Sequence, residues 1–258
     1  MAIHPAAVVD PSARIDPSAE VGPYCVIGPE VEIGARTRLM GHVFIEGPTR
    51  IGEDNIFFPF SSIGVASQDM KYKGELAETR IGSRNKIREF VTIHRGTEGG
   101  GLVTSIGDDN LLMAYVHVAH DVHIGDHTIL ANGATIGGHV TVGDWAVIAG
   151  LSGVHQYCRV GRHAMIGAAS AVTQDVLPYS MTVSDRPIHV FGANKTGLER
   201  RGFASESVDS LQKAFRLLAR SGLNTTQAIE RIRSEVPSTP EVEEVIDFIR
   251  ASERGVIK

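Results

Sequence analysis

Cysteine is nearly absent. Two residues in 258, Cys25 and Cys158, cannot hold a disulfide scaffold, and a reducing compartment is the simpler setting. Aromatic residues are scarce at 6 %, with a single tryptophan, so bulky rings do not build the interior. No stretch approaches the ~18 uninterrupted apolar residues of a membrane span. The opening MAIHPAAVVD lacks the basic and apolar regions of a secretory signal, so the expected location is cytoplasmic. A basic excess is missing too. The 25 Lys and Arg face 30 Asp and Glu, a formal charge of −5, which argues against a general nucleic-acid binder. What is present is a globular composition, 42 % hydrophobic and 21 % charged, with 28 glycines. Few rings and many glycines imply a thin, regular interior.

The regularity is explicit. An aliphatic residue, often followed by Gly, recurs every six positions from Ile3 through Val9, Ile15 and Val21 to Ile63, with Phe57 as an aromatic substitute. The frame resumes at Ile81, Ile87 and Ile93, and again from Ile106 to Val172. Neither helical spacing nor simple alternation produces a period of six. The pattern predicts a parallel β-helix: each hexad is a short strand and a corner, with the aliphatic side chain inward and the next residue, Gly or small, easing the bend. Three sides close a triangular prism, so 26 hexads give nearly nine coils, each resting on the next at ~4.8 Å. Residues 1–187 are expected to form this solenoid.

Two frame breaks predict insertion loops at 69–80 and 99–105. Loops leaving a solenoid often carry its binding surface, and Asp69, Lys71, Tyr72, Lys73 and Glu75 suit a polar ligand. After Val172 the composition turns helical, predicting a small helical domain over 188–258 that covers one end of the coil stack. One amphipathic helix runs from Ser205, a candidate cap, to Gly222. A second spans Thr225 to Glu235, and a third opens at Thr239-Pro240.

Histidines crowd the middle coils: His94, His117, His120, His123, His127, His139, His155 and His163. Residues 18 apart share a column, so His120, Gly138 and Gln156 stack. That sets an imidazole one rung from a backbone amide bare of any side chain. Acyl transfer needs this pairing, a base for the attacking hydroxyl and a donor for the developing oxyanion. Asp121 is next to His120 and can orient its ring. His117-x-x-His120-x-x-His123 has ligand-like spacing, but His117 and His123 fall on adjacent faces and do not converge within one chain; metal bridging between chains stays open. GTEGGGL is not a P-loop, lacking the Lys-Ser/Thr pair.

The hexad frame together with SQDMKYKGE, IREFVTIHRGT, GDDNLLMAYVHVAHD, GVHQYC and GLERRGF resembles the UDP-N-acetylglucosamine O-acyltransferases, left-handed β-helix enzymes of lipid A synthesis. The left hand comes from the resemblance, since parallel crossovers are normally right-handed. The resemblance implies transfer of a (3R)-3-hydroxyacyl group from acyl carrier protein to the 3-hydroxyl of UDP-N-acetylglucosamine. It implies no metal, cofactor or covalent acyl-enzyme. It makes His120 the general base, Asp121 its supporting carboxylate and the Gly138 amide the oxyanion donor. It assigns substrate contacts to Gln68, Asp69, Lys71, His94, His117, His139, His155, Gln156, Asn194, Arg200 and Arg201. Ala168 falls at the acyl-chain ruler. Thr196 stands where an acidic residue is expected. A homotrimer is implied, with clefts between solenoids. The acidic carrier is expected to dock on Lys195, Arg200, Arg201, Lys213, Arg216 and Arg220. The alternatives weighed are a 3-amino UDP-sugar acceptor, a γ-type zinc carbonic anhydrase and a purely structural solenoid.

Overall fold

The computed structural model describes residues 2–185 and 187–258, and the side chain of Arg220 lies outside that description. Strands of two to five residues assemble into three sheets of eleven, nine and eight strands. The three sheets are the faces of a prism. Pairing is parallel with an 18-residue offset: Val118 pairs with Ile136, and Ile136 with Val154. The column is kept across the frame breaks although the offset lengthens there, Ile51 pairing with Ile81 and Ile81 with Ile106. The first face ends differently. Ser180–Val183 pairs antiparallel with His189–Ala193, so strand pairing runs past 187 to Ala193.

The frame aliphatics form the core. Ile45, Ile63, Ile93, Val118 and Ile136 are all completely buried on the second face, and Phe57 is equally buried on the first, where it fills the column of Leu39 and Ile87. Each such side chain contributes ~1.5–3 kcal/mol by burial. Inside the edge between the third and first faces runs a buried amide ladder. Asn55 Oδ1 accepts from Asn85 N at 2.9 Å and from its Nδ2 at 3.0 Å. Asn85 Oδ1 accepts from Asn110 N at 2.8 Å, and Asn110 Oδ1 from Thr128 N at 2.7 Å.

The corners correct one expectation. The bend is not made by the glycine after the aliphatic. It is made two residues further on, where nineteen non-glycine residues, Tyr24 to Tyr179, hold φ between 51° and 65°. Such a conformation costs an ordinary residue ~1 kcal/mol or more. Stacking offsets it: the rings of Tyr24, His42, Phe60, Phe90 and Tyr115 follow one another at 4.9, 4.9, 5.2 and 4.9 Å along the edge between the first and second faces. The frame glycines of the third face serve close approach instead. A Cβ on Gly82 would come 2.7 Å from Gly107 O, and one on Gly107 would come 2.8 Å from Gly125 O.

Four helices follow: α1 (Lys195–Arg200), α2 (Ser205–Arg220), α3 (Thr225–Glu235) and α4 (Pro240–Arg250). Helix α1 is not foreseen from the sequence. Ser205 does not cap α2; Ala204 occupies that position with no side-chain bond. Asn224 and Gln227 form a capping box on α3, and Thr239 caps α4 with Pro240 in its first turn. Helix α2 packs on the last strand, where Gln212 Oε1 accepts from Ala193 N at 2.9 Å. Helix α4 is fastened to the prism by Glu244, which accepts from Tyr179 and pairs with Arg162 at 2.8 Å. Among the described residues, no helix is long and apolar enough to cross a membrane.

Candidate active site

Both insertions leave the prism at one edge. The first connects Ser62–Val65 on the second face to Glu78–Ile81 on the third, and the second connects Thr92–His94 to Val103–Ile106. The inserted segments are therefore 66–77 and 95–102 rather than 69–80 and 99–105. Pairing of Thr79 with Thr49, and of Val103 with Glu78, has already restarted the strands. The next corner of the same edge, between His117–Val118 and His123–Ile124, is His120-Asp121.

Asp121 adopts φ 58°, which turns its carboxylate back toward its neighbour. His120 Nδ1 lies 2.8 Å from Asp121 Oδ2, the His120 side chain being 12 % exposed and that of Asp121 1 %. An ionised carboxylate only accepts, so Nδ1 carries the proton and Nε2 offers a lone pair. Asp121 is clamped from elsewhere as well. Oδ1 accepts from Thr97 N at 2.8 Å, Oδ2 from Thr97 Oγ1 at 2.5 Å, and Asp121 N donates to Thr104 Oγ1 at 2.8 Å.

The predicted column is present. Two positions beyond the paired Val118, Ile136 and Val154 come His120, Gly138 and Gln156. A Cβ on Gly138 would lie 2.7 Å from both Cε1 and Nε2 of His120, so any side chain there displaces the ring. The Gly138 N–H donates to no backbone carbonyl among the described residues. A corner amide left over by the ladder thus borders the imidazole.

Other expected residues gather round. Asp69 Oδ2, from the first insertion, is 3.9 Å from His120 Nε2, and its Oδ1 accepts from Lys71 N at 2.9 Å. Gln68 and Lys71 are exposed. The His139 ring meets that of His120 edge-on at 5.0 Å and stacks on Tyr157 at 4.4 Å. His94 and His117 meet edge-on at 4.9 Å, and His117 Nδ1 is 2.7 Å from Thr92 Oγ1. Burial, then the neighbouring His117 and His120, push His94 down to about 4. Burial lowers His117, and burial outweighs Asp121 to lower His139. These three rings are neutral at pH 7 and act as hydrogen-bonding groups. His155 and Gln156 are exposed; His155 Nδ1 lies 3.1 Å from Gln156 O and 3.3 Å from an Arg254 nitrogen. A cleft of ≈ 390 Å³ opens between the insertions and the prism, lined by Asp69, Lys71, Tyr72, Lys73, Glu75, Thr97, Glu98, Gly99, His139 and Tyr157.

Some expected residues lie elsewhere. Asn194 caps α1, accepting from Gly197 N and donating to His163 O at 3.0 Å, so its amide is engaged within the fold. Arg201 lies 5.1 Å over the Trp145 ring, and Arg200 is exposed. Trp145 and His163 belong to the edge between the third and first faces, so a single chain does not bring these residues to His120. Ala168 is exposed on the remaining edge, after the Met165–Ile166 strand. His117 and His123 fall on different faces. His120, Asp121 and His139 do offer ligand atoms within 4.8 Å of one another, but the Asp121 oxygens already accept three hydrogen bonds. Thr97, Thr104 and Tyr157 were not singled out from the sequence. Tyr157 was findable, 18 positions beyond His139; the two threonines border an insertion.

Comparison with known proteins identifies the family and the fold. A family model described as Udp N-acetylglucosamine O-acyltransferase, Domain 2, matches residues 175–257, and one described as bacterial transferase hexapeptide (six repeats) matches 104–138. An acyl-[acyl-carrier-protein]–UDP-N-acetylglucosamine O-acyltransferase of Thermodesulfovibrio yellowstonii is 48 % identical over 222 residues, covering 86 % of each chain. The structure of LpxA from Acinetobacter baumannii is 46 % identical with a TM-score of 0.95, covering 99 % of both chains. That of LpxA, a UDP-N-acetylglucosamine acyltransferase, from Bacteroides fragilis is 41 % identical with a TM-score of 0.96, covering 99 % of this chain and all of the other. The coil is the left-handed parallel β-helix.

Proposed function

The chain belongs to the UDP-N-acetylglucosamine O-acyltransferase family, and from that premise we propose how its own residues move an acyl group from acyl carrier protein to UDP-N-acetylglucosamine. The observation that carries the reading is the juxtaposition of the free Nε2 of His120, with Nδ1 tied to buried Asp121, and the uncovered amide of Gly138. Nε2 removes the proton of the acceptor's 3-hydroxyl as that oxygen attacks the thioester carbonyl. The Gly138 N–H receives the charge that develops on the carbonyl oxygen. The C–S bond then breaks, and the imidazolium returns its proton to the departing sulfur. Asp121 keeps the ring in one tautomer and stabilises its charged form. The acyl group is a (3R)-3-hydroxyacyl chain, and the product is the first intermediate of lipid A.

Asp69 and Lys71 are the polar contacts of the cleft, with neutral His94, His117 and His139 as uncharged donors. Arg200 and Arg201 are on another edge, so the complete site draws them from a neighbouring copy in a homotrimer, where an arginine suits phosphate. Exposed Lys195, Arg200, Lys213 and Arg216 form the landing surface for the acidic carrier. Arg201, packed on Trp145, is not part of it, and the Arg220 side chain is outside the described residues. Ala168 borders the acyl groove. The free thiols Cys25 and Cys158 fit the cytoplasm.

The test is His120→Ala, assayed with 3-hydroxyl and 3-amino acceptors. The expected result is a folded protein whose kcat falls ~100-fold or more with the hydroxyl acceptor. Near-normal turnover would overturn the reading.

A further inference from the structure

We infer that Thr97 is a positioning residue for the acyl transfer, and that the second insertion exists to hold the catalytic carboxylate. Two independent observations carry this.

The first is what the Thr97 hydroxyl does. Thr97 occupies the N-cap position of the short 3₁₀ helix Glu98–Gly100, with φ −133° and ψ 163°, yet makes no side-chain cap bond. A threonine there ordinarily caps its own helix. Here the hydroxyl goes to Asp121 Oδ2 and the Thr97 N–H to Oδ1. The turn closes on the Thr97 carbonyl instead, which accepts from Gly100 N at 3.1 Å and Leu102 N at 2.9 Å. The first free amide of the helix, Glu98 N, is taken by Glu75 Oε1 of the other insertion at 3.2 Å. Thr97 is 6 % exposed.

The second is the glycines around it. A Cβ on Gly100 would overlap the carboxyl carbon of Asp121, and one on Gly96 would come 2.9 Å from its Oδ1. Gly100 is there because the segment folds directly over the carboxylate, while Gly96 is pressed first by the returning backbone at Leu102 and Val103 and then by Asp121. The loop is a lid on Asp121, not on the substrate cleft alone.

The chemistry follows. Oδ2 accepts from both the Thr97 hydroxyl and His120 Nδ1–H. The Thr97 bonds fix the carboxylate's rotation, and through it the plane of the imidazole and the direction of the Nε2 lone pair. They also draw off part of the carboxylate's charge, which would otherwise hold the imidazolium more tightly and make it a poorer acid toward the leaving sulfur.

This inference rests on His120 being the base, so the series includes His120→Ala as its own control. Thr97→Val keeps the shape and loses the hydroxyl; Thr97→Ala guards against a methyl clash; Thr97→Ser restores the donor. The measurement is kcat, KM and their pH profiles, with folding followed by circular dichroism. Expected for Thr97→Val and Thr97→Ala is a kcat reduced ~10-fold, the effect of about one net hydrogen bond. KM should stay within ~2-fold, the acid limb of kcat should move to higher pH, and Thr97→Ser should recover both. An unchanged kcat and acid limb overturns the inference. So does a slow Thr97→Ser with an unmoved limb, which marks Thr97 as structural only. Retained activity in His120→Ala overturns the underlying reading instead, whatever Thr97 does.

Discussion

Histidines dominate the residue scale, and burial governs four of them, His94, His117, His139 and His163. His94 and His163 are both held down at about 4, the first by burial with His117 and His120 beside it, the second by burial with Arg201 and Arg162 nearby. In the unfolded chain each returns to about 6.5. As pH falls the unfolded state binds these protons first, so stability is intact above about 6.5 and drains away from there down to about 4. The slope is at most ~1.4 kcal/mol per pH unit for each ring. Urea midpoints at pH 7.5 and 5.0 should therefore diverge in the wild type and diverge less in His163→Phe, which keeps a ring between Trp145 and Tyr179. An equal pH sensitivity in the variant would clear His163 of that role. The His120–Gly138 pair is legible in the sequence because both residues obey the 18-residue step. Thr97 is not, because it is 24 positions from Asp121 inside a segment that has left the frame, and only the folded loop brings the two together.

At the scale of elements, the repeat is readable wherever side chains stack on copies of themselves. It fails where a strand begins before its aliphatic. Glu78, Thr79 and Arg80 pair with the neighbouring coil although Ile81 is the first frame residue, which moved both loop boundaries. Helix α1 left no signal: six residues with Gly197 inside give no apolar period. The amide ladder was equally silent, since an asparagine before a frame position reads as an ordinary turn residue. Its worth is measurable. Asn85→Ala strands Asn110 N–H and Gly107 O, and leaves Asn55 Oδ1 with only the backbone N–H of residue 85. Buried groups left unpaired cost ~1–3 kcal/mol each before relaxation. Chemical unfolding should show a loss of ~2–4 kcal/mol, and a loss under ~1 would mean the ladder is dispensable.

For the whole molecule the telling fact is separation. His120 and the arginines after Asn194 sit on different edges of the prism, so the proposed site needs more than one copy. Light scattering should give three chains per particle. A co-refolded equal mixture of His120→Ala and Arg200→Glu, each impaired alone, should recover activity in about a quarter of its sites if a site takes one residue from each of two neighbours. A mixture no better than its components would return the site to a single chain.

The two insertions hang from consecutive storeys of one corner while the rungs above and below keep step. Length is thus decoupled from scaffold: twelve or seven additional residues alter nothing in the packed interior, and closing a longer loop costs only slowly more. The corner serves as a chassis mount, where fresh specificity can be bolted on by exchanging the first loop, while the second stays committed to Asp121.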